Sequence, residues 1–222
     1  MLKVHYDPFN FYHLKDQFKT AVKKYYAGME IIYNDPHVTG TTKVTELEEG
    51  LQIKLIHINF TDAFEIKRGT LKDGYCTLHF IFLNNANGTS LSINENSNTL
   101  NTDQFNIAFL SYADEHITFS GPKGTEFKSL IITMHKAWLQ KNLPDIFSGA
   151  EGFFMHTQKK ENRIWLSLEK YRQKQQVQSA FEIQDGPFFK PVMQKLSCFL
   201  ISSFFMHAYQ QYSEKLKADA SS

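Results

Sequence analysis

The chain has 222 residues and a formal net charge of +1, and its 20 phenylalanines outnumber its 11 glycines. An apolar content of 42% with only 6 prolines excludes collagen-like and wholly disordered proteins. This length predicts one large domain, or one domain with a helical appendix. The many aromatic rings must therefore belong to a core, a pocket or a partner surface.

The basic residues and cysteines exclude several classes of function. Only three of the 24 Lys and Arg residues are arginines, Arg68, Arg163 and Arg172. The clustered arginines of a sequence-specific DNA-binding protein are therefore missing, and we predict no direct contact with nucleic acid. Cys76 and Cys198 lie far apart, which disfavours a disulfide framework or a cysteine-rich zinc site.

No signal peptide or membrane span is predicted. Residues 1–16 contain no uninterrupted apolar core. Segment 196–213 has no Asp, Glu, Lys or Arg, but 7 of its 18 residues are Ser, His or Gln. Such a segment is more typical of a buried or interface helix than of a membrane helix. We therefore expect a cytoplasmic protein.

The first part of the chain, residues 1–36, is predicted to be a helical segment that packs on the domain that follows. Leu14, Phe18, Val22 and Met29 recur at intervals of three to four residues or multiples of them, which predicts a helix over 14–30.

Residues 37–143 are predicted to form a β-barrel or β-sandwich. From about residue 42 to 134, short apolar or alternating runs are separated by Asn, Gly and Asp turns. The candidate strands are 50–61, 75–83, 90–95, 104–110, 116–119 and 127–134. Two alternating apolar sets are predicted to point the same way: Ile56, Ile58 and Phe60, and Leu78, Phe80 and Phe82.

The remaining residues, 144–222, are predicted to be helical, following a short helix at 135–143. A helix is expected over 161–179, and a longer helix opens near Pro187 and runs to about 217. The last helix is apolar over an arc too wide for one packing face. Its second side is predicted to form a homodimer seam through Phe199, Phe205, Tyr209 and Tyr212; the alternative is the central helix of a monomer.

Candidate chemistry centres on two histidines and one arginine in the β region. His57 and His79 lie on strands predicted to be adjacent, where Asn59 and Tyr75 share their period-2 faces. Histidines bonded to the backbone are the plainer interpretation. Arg68, three residues after Glu65, is a candidate clamp for a carboxylate or phosphate, or else part of a surface ion pair.

Several local strings resemble the N-terminal sensing domain of bacterial AraC-type transcriptional regulators. They are GLQIKLIHINFTDAFEIKRG (50–69), the strand Tyr75–Leu83 and FNIAFLSYADEHITFSGPKGTEFKSLIITMHKAWLQKNL (105–143). The resemblance implies an α+β fold, a cupin-like double-stranded β-helix followed by helices that dimerise. It also implies a small effector in the barrel and a DNA-reading part, which would begin where this chain stops.

The resemblance to metal-binding cupins is incomplete. Their first motif is HxHxxxE-like, whereas this chain has His79 alone, and Phe127 stands where a ligand histidine would be expected in the second motif. We therefore predict no metal, no cofactor and no catalytic residue.

The leading hypothesis is a non-catalytic ligand-sensing and dimerisation domain of an AraC-type regulator. Arg68, Tyr75, His79 and His57 are its candidate ligand-binding residues. The alternative is a small metal-independent cupin-fold enzyme for a sugar or small metabolite, with His57 and His79 as acid/base groups.

Overall fold

A computed structural model describes residues 1–7, 9, 14–84, 88–94, 106–144, 165–168 and 174–219. The strands are β1 (Leu2–Tyr6), β2 (Thr20–Tyr25), β3 (Gly28–Asp35), β4 (Val38–Glu48), β5 (Leu51–Phe60), β6 (Phe64–Arg68), β7 (Tyr75–Asn84), β8 (Ser90–Ile93), β9 (Asn106–Tyr112), β10 (Ile117–Gly121), β11 (Glu126–His135) and β12 (Trp165–Ser167). The helices are α1 (Leu14–Gln17), α2 (Lys136–Asn142), α3 (Lys174–Ser179) and α4 (Phe189–Asp219).

The strands form a small and a large sheet. The small sheet has the order β1-β6-β10-β8, and the large sheet has the order β12-β9-β7-β11-β5-β4-β3-β2. From β5 to β11, each successive strand lies in the other sheet, which is the jelly-roll topology of cupins. The predicted α+β, cupin-like fold class is therefore confirmed.

The two sheets pack face to face around an inner core. Phe60 of the large sheet stacks on Phe64 of the small sheet, with ring centroids 3.8 Å apart. Phe119 of the small sheet contacts Phe127 of the large sheet at 5.0 Å. Because side chains alternate along a strand, the residues between these inner positions point out of the sandwich.

Helix α4 covers the outer face of the large sheet. Leu78 and Phe80 of β7 are buried in one cluster with Phe204 and Phe205 of the helix. A side-chain contact anchors the helix near its start, where Gln194 Nε2 and Trp138 Nε1 both donate to Glu48 Oε1, at 2.7 and 2.6 Å. The large sheet is thus buried on both faces.

The two alternating apolar sets of β5 and β7 do not point the same way. Ile56 and Ile58 belong to the inner core, whereas Leu78 and Phe80 belong to the outer cluster under α4. The prediction was wrong because the register across β11 pairs His79, and not a neighbouring apolar residue, with the inward-facing Ile131.

The predicted helix over 14–30 is also wrong. Only Leu14–Gln17 is helical, and a hairpin of β2 and β3 follows, with Tyr25 opposite Gly28. A Cβ on Gly28 would lie 2.1 Å from the carbonyl oxygen of Val44, so glycine is needed for close approach to β4. Pairing with the existing sheet overrides the helical spacing of the apolar residues.

The helical predictions for the rest of the chain are confirmed in large part. Helix α2 matches the short helix at 135–143, and α4 matches the long C-terminal helix. Within 161–179, however, Trp165–Ser167 is a strand that pairs with β9, and the helix covers Lys174–Ser179. None of the helices in the described ranges has both the length and the hydropathy of a membrane span.

Candidate functional site

A cavity of about 80 Å³ lies in the inner core between the two sheets. Its walls are mostly apolar and include Ile56, Ile81 and Phe109. The polar side chains of the lining are Tyr6, Tyr33, Thr42, Arg68, His79 and Ser129. The cavity is therefore an apolar chamber with a few polar groups, which is the usual composition of a small-ligand site.

The inner face of the large sheet changes from apolar to polar along the strands. Cross-strand pairing aligns the row Ile56, Ser129, Ile81 and Ile107, then the row Lys54, Ile131, His79 and Phe109, and then the row Gln52, Thr133, Thr77 and Ser111. Directly opposite residues share a face, so each row lies side by side. One end of the interior therefore concentrates the hydroxyl and basic groups.

Arg68 joins the two sheets at this polar end. It lies at the end of β6 in the small sheet, is only 3% exposed, and reaches the large sheet. Its Nη1 donates to Thr77 Oγ1 at 2.9 Å and Ser111 Oγ at 3.0 Å. Its Nη2 donates to the main-chain oxygens of Tyr112 and Glu115, at 3.4 and 2.7 Å. The predicted alternative, a surface ion pair with Glu65, is wrong because Glu65 contacts Lys67 instead.

His79 is held in place by the same network, and its burial favours the neutral imidazole. Its Nε2 lies 2.8 Å from Thr77 Oγ1 and 3.1 Å from Ser111 Oγ, and its ring stacks on Phe109 with centroids 4.5 Å apart. Burial, with the nearby charges of Arg68 and Lys54, holds the pKa of the imidazole well below its usual value. A neutral ring suits a wall of an apolar cavity.

Lys54 is a buried basic residue that sequence reasoning missed. Its side chain is 1% exposed and belongs to the row that contains His79. Burial first and the charge of Arg68 second lower the pKa of its ammonium group to about 7, while Asp7 opposes the shift. The signal was available, because Lys54 alternates in phase with the inward-facing Ile56 and Ile58.

Two polar groups of the cavity wall have no protein partner. Arg68 Nε and Ser129 Oγ are both fully buried and make no hydrogen bond within the described residues. A buried N–H or O–H group without a partner is destabilising by about 1–3 kcal/mol. Both groups are therefore available to a polar atom inside the cavity.

Of the four predicted ligand-binding residues, the cavity wall contains only Arg68 and His79. Strand β11 lies between β5 and β7, so the prediction that the strands of His57 and His79 are adjacent is wrong. The jelly-roll crossing explains this, because β11 returns to the middle of the large sheet, between β7 and β5. Tyr75 lies outside the cavity, where its ring contacts Phe9 and His135 at 5.1 and 4.8 Å.

His57 contributes to a separate polar cleft on the outer side of the large sheet. Its Nε2 lies 2.8 Å from Glu126 Oε1, a carboxylate that also accepts from Lys128 and Asn84. Lys128 first and His57 second hold the pKa of Glu126 below its usual value. The cleft lining contributed by described residues contains no hydroxyl or thiol that could serve as a nucleophile.

The predicted dimer residues divide between the core and the surface. Phe199 is 46% exposed and Tyr209 is 53% exposed on α4. Phe205 is buried in the chain's own core against Phe204, with ring centroids 5.8 Å apart. The side chain of Tyr212, like Phe105, Arg163 and Arg172, lies outside the described residues.

Metal-ligating side chains do not converge in the part of the chain that the structure describes. There, no group of three or more His, Cys, Asp or Glu residues could hold a metal ion. Cys76 and Cys198 are free cysteines, and burial raises the pKa of the Cys76 thiol to about 12.

No family model matches the sequence, and no curated protein resembles it closely enough to count as a match. Solved structures with a similar arrangement include KdgF from a Halomonas species, at 7% identity over 54% of this chain and 92% of that one, with a TM-score of 0.32. An HTH_3 family transcriptional regulator from Vibrio cholerae is similar at 10% identity, over 45% of this chain and 53% of that one, with a TM-score of 0.31. The EutQ protein of Clostridium difficile is similar at 19% identity, over 48% and 68% of the two chains, with a TM-score of 0.28. These values are too low to transfer a function or a site.

Lys54→Met is expected to remove a pH dependence of stability. Below pH 7 Lys54 is protonated in both the folded and the unfolded chain, so its burial cost is constant. Between about pH 7 and 10.5 the unfolded chain binds the extra proton, so the free energy of unfolding rises with pH by about 1.4 kcal/mol per unit. Urea unfolding at pH 7, 8 and 9 should therefore find the variant more stable at pH 7, with the difference shrinking as pH rises.

Lys24→Met, at an exposed position of β2, is the matched control. Its free energy of unfolding should change with pH in parallel with that of the unmodified chain. If the free energy of unfolding of Lys54→Met also changed with pH in parallel with that of the unmodified chain, the assignment of a depressed pKa to Lys54 would be wrong.

Proposed function

We propose that the chain is the ligand-sensing and dimerisation part of an AraC-type transcriptional regulator, with the small ligand bound in the cavity between the sheets. The observation that carries the proposal is the apolar cavity, whose wall holds two buried polar groups without partners among the described residues. A filled sandwich with satisfied polar groups would instead favour a plain interaction module. DNA would be read by a separate part of the protein.

Strand β7 lies between the cavity and helix α4. On β7, His79 and Ile81 face the cavity, whereas Leu78 and Phe80 pack in the cluster that contains α4. A ligand that shifts β7 therefore changes the surface on which the helix packs. If the ligand binds more tightly when the helix has one placement than when it has another, it stabilises that placement by the difference between the two binding free energies.

The exposed face of α4 carries a regular stripe. Its positions recur at alternating intervals of four and three residues: Phe188, immediately before the helix, and then Val192, Lys195, Phe199, Ser202, Met206 and Tyr209. Five of the seven are large apolar side chains that are at least 45% exposed. This spacing is that of the a and d positions of a coiled coil, in which a helix pairs with a helix of the same repeat. The proposed partner is therefore a second copy of this chain, related by a two-fold axis.

Filling the cavity tests whether small molecules enter it. Xenon is the probe, because dry apolar cavities bind it. We expect xenon to shift the methyl resonances of Ile81 and Ile131 in the unmodified chain. Ser129→Leu, which places a larger side chain at the cavity wall, should abolish these shifts while the chain stays folded.

Thr39→Leu, which also replaces a hydroxyl side chain by leucine, lies at an exposed position of β4 and should leave the xenon shifts in place. An absence of xenon shifts in the unmodified chain would show that the cavity is closed to ligands and would remove the sensing role.

Phe199→Glu tests the dimer. Placing a carboxylate at the middle of the stripe should raise the dissociation constant of the dimer at least ~10-fold, since charged residues at a positions of a seam are unfavourable. Sedimentation equilibrium measures this directly, with Gln211→Glu, at an exposed position away from the stripe, as the matched control. A chain that is monomeric at every concentration before mutation would rule out the seam.

The regulator identity has a separate test in the gene. We expect the reading frame after the codon for Ser222 to encode a pair of helix-turn-helix units. Sequencing the locus decides this, and a frame that continues into a different kind of domain, or stops at once, would contradict the assignment to AraC-type regulators.

A further inference from the structure

The polar cleft that contains His57 continues the outer face of the large sheet beyond the part that α4 covers. The last buried cross-strand row of the covered part consists of Leu55, Leu130, Phe80 and Ala108. Two residues further along each strand, the same face presents the row His57, Lys128, Phe82 and Asn106. This second row is the floor of a cleft of about 580 Å³, within the roughly 300–1,000 Å³ of small-ligand sites.

Helix α3 and the turn after it form the opposite wall of the cleft. Lys174 and Gln178 lie four residues apart, so they share one face of the helix. Phe181 and Glu182 continue that lining past the end of the helix. Val177, on the other side of α3, is fully buried in the apolar cluster that also contains α4. The wall is therefore held by the core of the domain.

Glu126 arranges the polar groups at the floor of the cleft. Its Oε1 accepts from His57 Nε2 at 2.8 Å and from Lys128 Nζ at 3.0 Å, and its Oε2 accepts from Asn84 Nδ2. An ionised carboxylate is only an acceptor, so His57 Nε2 carries the hydrogen in this contact. One carboxylate thus orients three neighbouring side chains.

The three oriented side chains keep hydrogen-bonding atoms of both kinds for a ligand. Asn84 Oδ1 is an acceptor, and Lys128 Nζ has further N–H groups to donate. When His57 is neutral, its Nδ1 is a second acceptor, because Nε2 carries the hydrogen. A ligand that pairs with all three side chains must therefore both donate and accept hydrogen bonds, as a hydroxyl group does.

The charges of the cleft favour a neutral ligand. Among the described residues of its lining, Lys128 and Lys174 are the two lysines, and Glu126 and Glu182 are the two carboxylates. These charges balance, so a neutral molecule adds no unpaired charge. A phosphate or carboxylate ligand would bring only acceptors, and it would offer no hydrogen to Asn84 Oδ1.

Aromatic rings on the floor and on the wall supply the apolar contacts. Phe82 lies between Lys128 and Asn106 in the floor row, and Phe181 lies on the wall. A sugar ring carries hydroxyl groups at its edge and C–H groups on its faces. It therefore matches a cleft in which amide, lysine and histidine groups lie beside aromatic rings.

We propose that this cleft binds a neutral saccharide, with its hydroxyl groups at His57, Lys128 and Asn84. One face of the sugar ring packs toward Phe181, the more exposed of the two phenylalanines. The site lies outside the sandwich, separate from the cavity between the sheets, and it does not depend on the proposed sensing function.

The methyl glycosides of glucose, galactose and mannose are the probes, and glucuronate is the anionic comparison. Saturation-transfer NMR titrations on the full chain should give saturable binding of at least one methyl glycoside and should shift the imidazole resonances of His57. Asn84→Leu and Lys128→Met should each weaken that binding by about 3- to 10-fold, the effect of one lost hydrogen bond. Asn34→Leu and Lys24→Met make the same substitutions at exposed positions outside the cleft and should leave the binding unchanged.

The proposal is overturned if none of the three methyl glycosides binds the unmodified chain, or if binding is unchanged in both Asn84→Leu and Lys128→Met. Tighter binding of glucuronate than of every methyl glycoside would show that the cleft takes anions instead. A glycoside that shifts the methyl resonances of Ile81 and Ile131, but not those of His57, would bind in the inner cavity. That result overturns the cleft proposal and leaves the sensing function in place.

Discussion

The large sheet is apolar over the central part of both of its faces, and the rest of the structure follows from the need to cover each face separately. The small sheet covers the inner face, where rings such as Phe60 and Phe64 stack across the gap. Helix α4 covers the outer face with fully buried side chains such as Phe204. Removing apolar area from water contributes about 25 cal/mol per Å², so neither cover can be dispensed with.

Covering the inner face brings polar groups into the interior, and Arg68 organises them. Its four hydrogen bonds run from β6 in the small sheet to β7, to β9 and to the turn after β9. These hydrogen bonds, all to uncharged oxygen acceptors, hold the two sheets together at one end of the sandwich. The other polar groups of that end, including His79, are then ordered by the same hydroxyls of Thr77 and Ser111. The cavity lies where this polar end meets the apolar centre.

Helix α4 covers the outer face, but the helix is apolar over more of its circumference than the sheet can bury. The buried side includes Met193, Leu200 and Ala208, whereas Val192, Phe199 and Met206 are exposed at intervals of seven residues. Exposed apolar groups in a regular stripe are typical of an interface between helices. A single strand, β7, separates the cavity from the helix, so the ligand site and the proposed dimer seam are mechanically close.

Sequence periodicity alone was sufficient to predict six of the twelve described strands, the short helix with Trp138, and the long C-terminal helix. Those elements have a local signal, because period 2 and period 3.6 are visible within one segment. It also singled out Arg68 and His79 as candidate site residues. The wide apolar arc of the last helix indicated more apolar surface than one packing face needs, although it could not show that Phe205 is on the buried side; the homodimer seam stays a prediction.

Only the tertiary structure decided which strands are neighbours. Strand β11 separates His57 from His79, and the hairpin of β2 and β3 replaces a helix that the spacing of Phe18 and Val22 favoured. It also decided that Lys54 is buried, since an in-phase lysine becomes an interior charge only when the second sheet closes over it. Pairing and closure depend on residues far apart in the chain, so no local pattern encodes them.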